Sequence, residues 1–241
     1  MTTDTLTKPG TVDLRRFNTL GAANHGWLDA HHHFSFASYH DRNRMGWGSI
    51  RVWNDDMIAP QTGFPTHPHQ SMEIITYVRT GAITHTDSMG HEGRTEAGDV
   101  QVMSAGSGIQ HSEYNLENEP TTLFQIWVHP RAPGGQPRWG AKPFPKDARD
   151  GAWAVLASGF AEDKDALFIN ADARVLGATL ATAATLTHDV GAGRHAYLVP
   201  ATGRISINGI EADARDGLAL SAGSYTIQAL EEAELVLVDA V

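Results

Sequence analysis

The chain contains no cysteine. Disulfide staples, thiolate metal sites, iron–sulfur clusters and a cysteine nucleophile are thereby excluded together. No apolar run approaches the ~20 residues needed to cross a bilayer as a helix. The opening stretch, MTTDTLTKPGTVDLRRF, also lacks the apolar core of a secretory signal, so a cytoplasmic protein without membrane contact is expected. Basic charge is scarce as well, with 18 Lys and Arg against 28 Asp and Glu and a formal charge of −10. Gripping a phosphate backbone draws mainly on Lys and Arg, so direct nucleic acid binding is not expected. Helix signals are few: Asp163–Leu167 is short, and the Ala- and Thr-rich Ala173–Thr185 is ambiguous.

What the chain does have points to an all-β protein. A hydrophobic fraction of 41% over 241 residues suffices for a substantial core. Ser49–Met57 (SIRVWNDDM), Met72–Val78 (MEIITYV), Val100–Met103 (VQVM) and Leu123–Val128 (LFQIWV) are rich in β-branched and aromatic residues, with turn formers between them. A second series follows: Ala196–Val199, Arg204–Ile210 around an Asn208-Gly209 turn, Leu218–Leu220, Tyr225–Ala229 and Glu234–Val238. Asn-Gly between apolar alternations is a strong hairpin signal. Between the two series, residues 130–150 (PRAPGGQPRWGAKPFPKDARD) hold five prolines and three glycines, a composition that interrupts helices and central strands and reads as a connection. The sequence therefore divides into a loose tail at 1–11, a first domain at 12–132, a linker at 133–150 and a second domain at 151–241. The halves resemble one another. GDVQVMSAGS at 98–107 matches RDGLALSAGS at 215–224, and setting Ser104 on Ser221 gives an offset of 117 residues, as in a duplicated β unit.

Of 13 histidines, 11 fall at or before His129, so a multi-histidine site belongs in the first half. His67-Pro68-His69 directly precedes a strand, and in extended chain residues two apart point the same way. His111-Ser112-Glu113 offers an imidazole and a carboxylate by the same rule. Two such pairs on facing strands can close around one divalent first-row ion, with Fe, Mn, Ni, Cu and Zn all compatible with the donor set. Open coordination positions beside it would admit water, O2 or a chelating substrate. Other candidates read more plainly. His31-His32-His33 alternate faces and read as turn or surface residues, while Trp27, Phe34 and Phe36 read as core. His85, with Asp87 two residues on, could reach toward a pocket but reads first as part of an exposed hairpin, and Glu231-Glu232 reads as a solvated turn; Ser107-Gly108 is followed by neither Lys nor a helix, so it is no phosphate loop.

GFPTHPHQSMEIITYVRTG followed by AGDVQVMSAGSGIQHSEYN resembles the two motifs of the cupin superfamily. With NHGWLDAHHHFSFASYHDRNRMGWGSIRVWNDD at 24–56 and the DSMG turn at 87–90, the chain is similar to the pirin family, in its bacterial YhhW-like branch. The resemblance is dense over about 12–130 and thinner beyond. It implies a bicupin of two β-barrels, in the double-stranded β-helix or jelly-roll form, set face to face with one metal ion in the N-terminal barrel. Carried across, the family's ligands fall on His67, His69, His111 and Glu113, with Fe(II) the usual ion. The implied activity is a quercetin 2,3-dioxygenase-like ring opening of a flavonol by O2 with release of carbon monoxide. There Glu113 is a candidate base for the substrate hydroxyl, within apolar site walls. Family members linked to regulation through protein partners supply the alternative, a non-catalytic metalloprotein.

Two departures from the general cupin pattern matter. Four residues separate Gly106 from His111 where that pattern has two, and its glutamate four residues after the second histidine corresponds to Glu73. Four residues of straight strand span roughly 13 Å, which favours Glu113 as ligand and leaves Glu73 behind the ligands or facing solvent. At the offset of 117, His111 maps to Gln228 and Glu113 to Leu230, and the second half retains only His188 and His195. A metal-free second barrel, acting as wall or lid for the first in a monomer, is the expectation.

Overall fold

The computed structural model describes residues 10–241, so most of the expected tail lies outside the described residues. The first half runs β1 (Val12–Arg15), β2 (Gly21–Asn24), β3 (Leu28–His32), β4 (Ile50–Ile58), β5 (Thr62–His69) and β6 (Glu73–Thr80). It continues with β7 (Ala82–Asp87), β8 (Glu92–Glu96), β9 (Val100–Ser104), β10 (Ile109–Asn115), β11 (Thr121–Val128) and β12 (Arg138–Lys142). The second half comprises β13 (Ala154–Ser158), β14 (Leu167–Phe168), β15 (Ala173–Leu180), β16 (Thr185–Val190) and β17 (His195–Thr202). The last strands are β18 (Ile205–Ile207), β19 (Ile210–Ala212), β20 (Gly217–Leu220), β21 (Gly223–Ala229) and β22 (Ala233–Ala240). Two 3-10 turns, Phe17–Thr19 and Asp147–Arg149, are the only helical elements among the described residues, and no helix there is long and apolar enough to cross a membrane. The short Asp163–Leu167 signal is a turn leading into β14. The ambiguous Ala173–Thr185 becomes β15 and the turn to β16.

Each half stacks a seven-stranded sheet on a four-stranded one, a jelly-roll sandwich rather than a closed barrel. The first pairs β12-β9-β6-β11-β4-β3-β2 with β5-β10-β7-β8, and the second pairs β1-β20-β17-β22-β15-β13-β14 with β16-β21-β18-β19. The strand orders superimpose one half on the other, with their outermost strands exchanged in sequence. β1, from the start of the chain, pairs with β20, while β12, from the Pro- and Gly-rich stretch, takes the matching edge beside β9. An edge strand tolerates a segment flanked by prolines that a central strand would reject.

The two seven-stranded sheets face each other across one core holding Phe34, Trp53, Tyr77 and Phe124 from the first half and Tyr197, Val199 and Val236 from the second. Covered on both faces, β22 is buried at every position. This explains why AELVLVDA and LFQIWV read as continuous apolar runs, whereas β10 and β21 alternate as strands with one solvated face do. Ion pairs on two buried acids lie at the same interface. Asp55 lies between Arg79 of its own half and Arg215 of the other, and Glu234 accepts from Arg149 at 2.9 Å and Lys146 at 2.7 Å. The Asn208-Gly209 hairpin forms between β18 and β19, both residues at positive φ (49° and 84°), the geometry of the tight turn that favours this dipeptide.

Candidate metal centre

β5 and β10 pair antiparallel with His111 opposite His67 and Ile109 opposite His69. A bulge follows: Glu113 lies opposite Phe64 rather than one place nearer, so β5 carries an extra residue beside the histidines. The result brings one ring nitrogen from each of His67, His69 and His111 within 4.8 Å of the others. Their ring centroids are 4.5 to 5.0 Å apart. The hydrogen bonding fits metal ligation. His67 donates from Nδ1 to the Pro65 carbonyl at 2.7 Å, leaving its Nε2 with a lone pair. His111 Nε2 is buried with no hydrogen-bond partner, a cost that a bound cation would relieve. Burial, and then the neighbouring imidazoles, push His111 down to about 2, and the same two causes push His69 down to about 4. Both rings are therefore neutral and able to ligate well below pH 7.

Glu113 lies on the same face of β10 but in a second cluster, with His111 and His85, rather than within 4.8 Å of all three imidazoles. Its carboxylate receives Gln101 Nε2 at 2.6 Å, Gln125 Nε2 at 2.8 Å and Thr76 Oγ1 at 3.3 Å. Both amides are oriented from behind: Thr95 Oγ1 donates to Gln101 Oε1 at 3.0 Å, and Trp127 Nε1 to Gln125 Oε1 at 3.3 Å. Burial pushes the Glu113 carboxyl up to about 7, while the three donors pull it down. A cavity of about 610 Å³ opens at His69, with Ile109, Gly108 and Ser88 on its walls. All of its lining residues come from the first half, so the second half is neither wall nor lid there. The expected apolar surroundings hold for Ile109 and for Trp127, edge-on to His69 at 4.9 Å, whereas Glu113 is surrounded by amides.

Several expectations are corrected. His85 and Asp87 do not sit on an exposed hairpin: their side chains are 1% and 0% exposed, because β7 runs beside β10 and pairs Asp87 with His111 and His85 with Glu113. Glu73 is buried and faces neither solvent nor the imidazoles; it accepts from Ser104 Oγ at 2.6 Å and from the Asn170 backbone N–H at 2.9 Å, tying the halves together. His32 and His33 are likewise buried, bonded to Asn54 and to the Tyr197 hydroxyl at 2.9 Å each, because β3 sits inside the sheet. Residues that sequence reasoning missed include Gln101 and Gln125, each an amide between apolar neighbours in its strand, and Trp139. From β12, Trp139 stacks on His85 at 5.0 Å and 10°. The space for it comes from Gly93, opposite His85 on β8, where a Cβ would lie 2.2 Å from the indole.

The second half shows what replaces the ligands. Ile227 pairs with Ile207, and Tyr225 with His188, in strands equivalent to those carrying Glu113 and His111. The first half's loop before β10 is three residues longer, so His111 corresponds to Tyr225 and Glu113 to Ile227, not to Gln228 and Leu230. His69 corresponds to Val190, and His67 to His188, which bonds Asp239 at 3.0 Å. Val190, Ile207, Tyr225 and Ile227 all belong to the packed core of the second half.

Residues 13–128 match the family model described as Pirin, and residues 155–240 match that of the quercetinase C-terminal cupin domain. The chain is 62% identical over 230 residues to a pirin-like protein of Caulobacter vibrioides, covering 95% of this chain and 99% of that one. It is 41% identical over 230 residues to a quercetin 2,3-dioxygenase of Escherichia coli K12, covering 95% and 98%. Its fold matches the crystal structure of the bacterial pirin YhhW from Escherichia coli in complex with nickel(II), with a TM-score of 0.90, 39% identity and coverage of 95% and 99%. The paired jelly rolls and the matches across both halves lead to one conclusion: the chain belongs to the pirin family.

Proposed function

We propose that His67, His69 and His111, with Glu113 as fourth donor, hold one divalent transition-metal ion, Fe(II) in the first instance, and that the protein opens flavonols such as quercetin with O2. The carrying observation is the buried, partnerless Nε2 of His111 beside two further imidazoles, one of which, His69, lines an open cavity. The relative's name as a quercetin 2,3-dioxygenase and the nickel complex of YhhW support the same reading. A cavity of about 610 Å³ falls within the usual range for small-molecule sites, roughly 300–1,000 Å³.

The ion would supply Lewis acidity, lowering the pKa of a substrate hydroxyl brought to it. The chain's own groups do the rest. Glu113, once loosened from the ion, takes the hydroxyl proton, since its carboxylate is held beside the position of the substrate oxygen by the amides of Gln101 and Gln125. Gln101 and Gln125 keep that carboxylate from rotating away, and Trp127 and Ile109 hold the aromatic rings and limit access of water.

The test is to load the protein with Fe(II), Ni(II) or Mn(II), verify one ion per chain, and follow loss of the quercetin absorbance band under O2. Ring opening that disappears in Glu113→Gln while metal binding persists in part supports the assignment. A fully loaded protein that leaves quercetin intact removes the enzymatic reading and leaves a metalloprotein acting through a protein partner.

A further inference from the structure

Beside His111, a row of polar side chains runs along the β7–β8 hairpin. Asp87 begins the row. Its Oδ1 accepts the backbone N–H groups of Met89 at 2.9 Å and His91 at 3.1 Å. Its Oδ2 lies 3.0 Å from His85 Nε2 and 2.9 Å from His91 Nδ1. An ionised carboxylate only accepts, so the His85 nitrogen facing it carries the hydrogen. A neutral His85 protonated on Nε2 has its lone pair on Nδ1, and that atom lies 3.3 Å from His111 Nδ1. Two lone pairs or two N–H groups at this separation repel; the one favourable arrangement puts the hydrogen on His111 Nδ1. The lone pair of His111 then sits on Nε2, the partnerless buried atom. Trp139, stacked flat on His85, opposes a flip of the His85 ring.

We propose that Asp87 and His85 are positioning residues that set the tautomer of His111, so that its Nε2 is presented as a lone pair to a divalent cation. The proposal rests on His67, His69 and His111 as the cation site and adds what keeps one of them in ligating form. Partners of this kind orient metal-binding histidines and, when lost, typically lower metal affinity by roughly 10–100-fold.

Asp87→Asn makes a sharp test, because the two backbone N–H groups on Oδ1 hold the amide oxygen in that place and turn the NH2 toward His85. The NH2 donates to His85 Nε2, His85 moves its hydrogen to Nδ1, and His111 is driven to the Nε2–H form, which cannot ligate. Two measurements read this. Long-range 1H–15N NMR of the metal-free protein identifies the His111 tautomer directly, with Nδ1–H expected in the wild type and Nε2–H in Asp87→Asn. Chelator competition with Ni(II) or Zn(II) reads affinity, expected to fall by roughly 10–100-fold in the variant. His85→Leu, which only removes the acceptor, is expected to weaken binding, and His85→Gln, whose amide oxygen can accept from His111, to restore it; this pair decides the matter if Asp87→Asn fails to fold.

A doubly protonated His85, or an unchanged His111 tautomer and affinity in Asp87→Asn, overturns the proposal, as do equal affinities of the Leu and Gln variants. The expected tautomers in a protein that binds no metal would instead sink the cation site while leaving the Asp87–His85–His111 arrangement standing.

Discussion

Gln125→Leu isolates one of the three donors on Glu113. The lost bond is 2.8 Å long, and the group left behind, the half-buried Trp127 indole N–H, can turn to water, so the effect falls mainly on the carboxyl. A hydrogen bond to an ionised acceptor contributes about 1.5–3 kcal/mol, and one to a neutral acceptor about 0.5–1.5 kcal/mol. The difference of ~1–1.5 kcal/mol is about one pKa unit. Glu113, pushed up to about 7 by burial, should therefore move to roughly 8 in the variant. The sign for stability follows from proton linkage. A carboxyl raised above its unfolded value binds more protons when folded, so stability is highest below the unfolded pKa and declines as pH rises to the folded one. In Gln125→Leu that decline extends further, and the deficit relative to wild type widens by ~1–1.5 kcal/mol between pH 5 and pH 9. Carboxyl 13C NMR titration and urea unfolding of the metal-free protein measure the two quantities. A Glu113 pKa that stays or falls, or a deficit that does not vary with pH, refutes the claim that this amide holds the ionised form.

Other perturbations probe the frame around the site. Asp55→Ala leaves the largely buried Arg79 and the partly exposed Arg215 without their shared acid and should cost about 1.5–3 kcal/mol in urea unfolding; a loss under about 0.5 kcal/mol would show that the halves do not depend on this pair. Gly93→Ala places a methyl group where the Trp139 indole lies, so it should cost about 1–3 kcal/mol and change the indole fluorescence. No spectral change would mean that the stacking on His85 is absent in solution. His188→Ala, at the position equivalent to His67, should leave metal stoichiometry unchanged by elemental analysis, because Val190, Tyr225 and Ile227 offer no companion ligands comparable to those around His67; loss of an ion would contradict that.

How much could be seen in the sequence follows from the range of the physics. His67, His69 and His111 were legible because a two-residue spacing on a strand fixes their direction locally. The β character of both halves was legible from side-chain type, and the Asn208-Gly209 hairpin from backbone conformation. His85 and Asp87 share that spacing, yet their burial depends on β7 lying beside β10, a pairing between residues more than twenty apart. The exchange of β1 and β12 between sheet edges is likewise invisible locally, and with it the route by which Trp139 reaches His85 from a Pro-rich segment. Gln101 and Gln125 left a faint signal, since an uncharged amide flanked by apolar residues in a buried strand needs a buried partner. The duplicated half misled by three residues, because the match around Ser104 and Ser221 crosses a loop of unequal length.

Anomalous X-ray diffraction at the metal edge, from crystals of the protein loaded with Ni(II) or Fe(II), is the most direct test of the central claim. One peak per chain, in contact with His67, His69 and His111, is the expected result. A peak confined to His188 or His195, or none at the three imidazoles in a protein shown to carry metal, would contradict it.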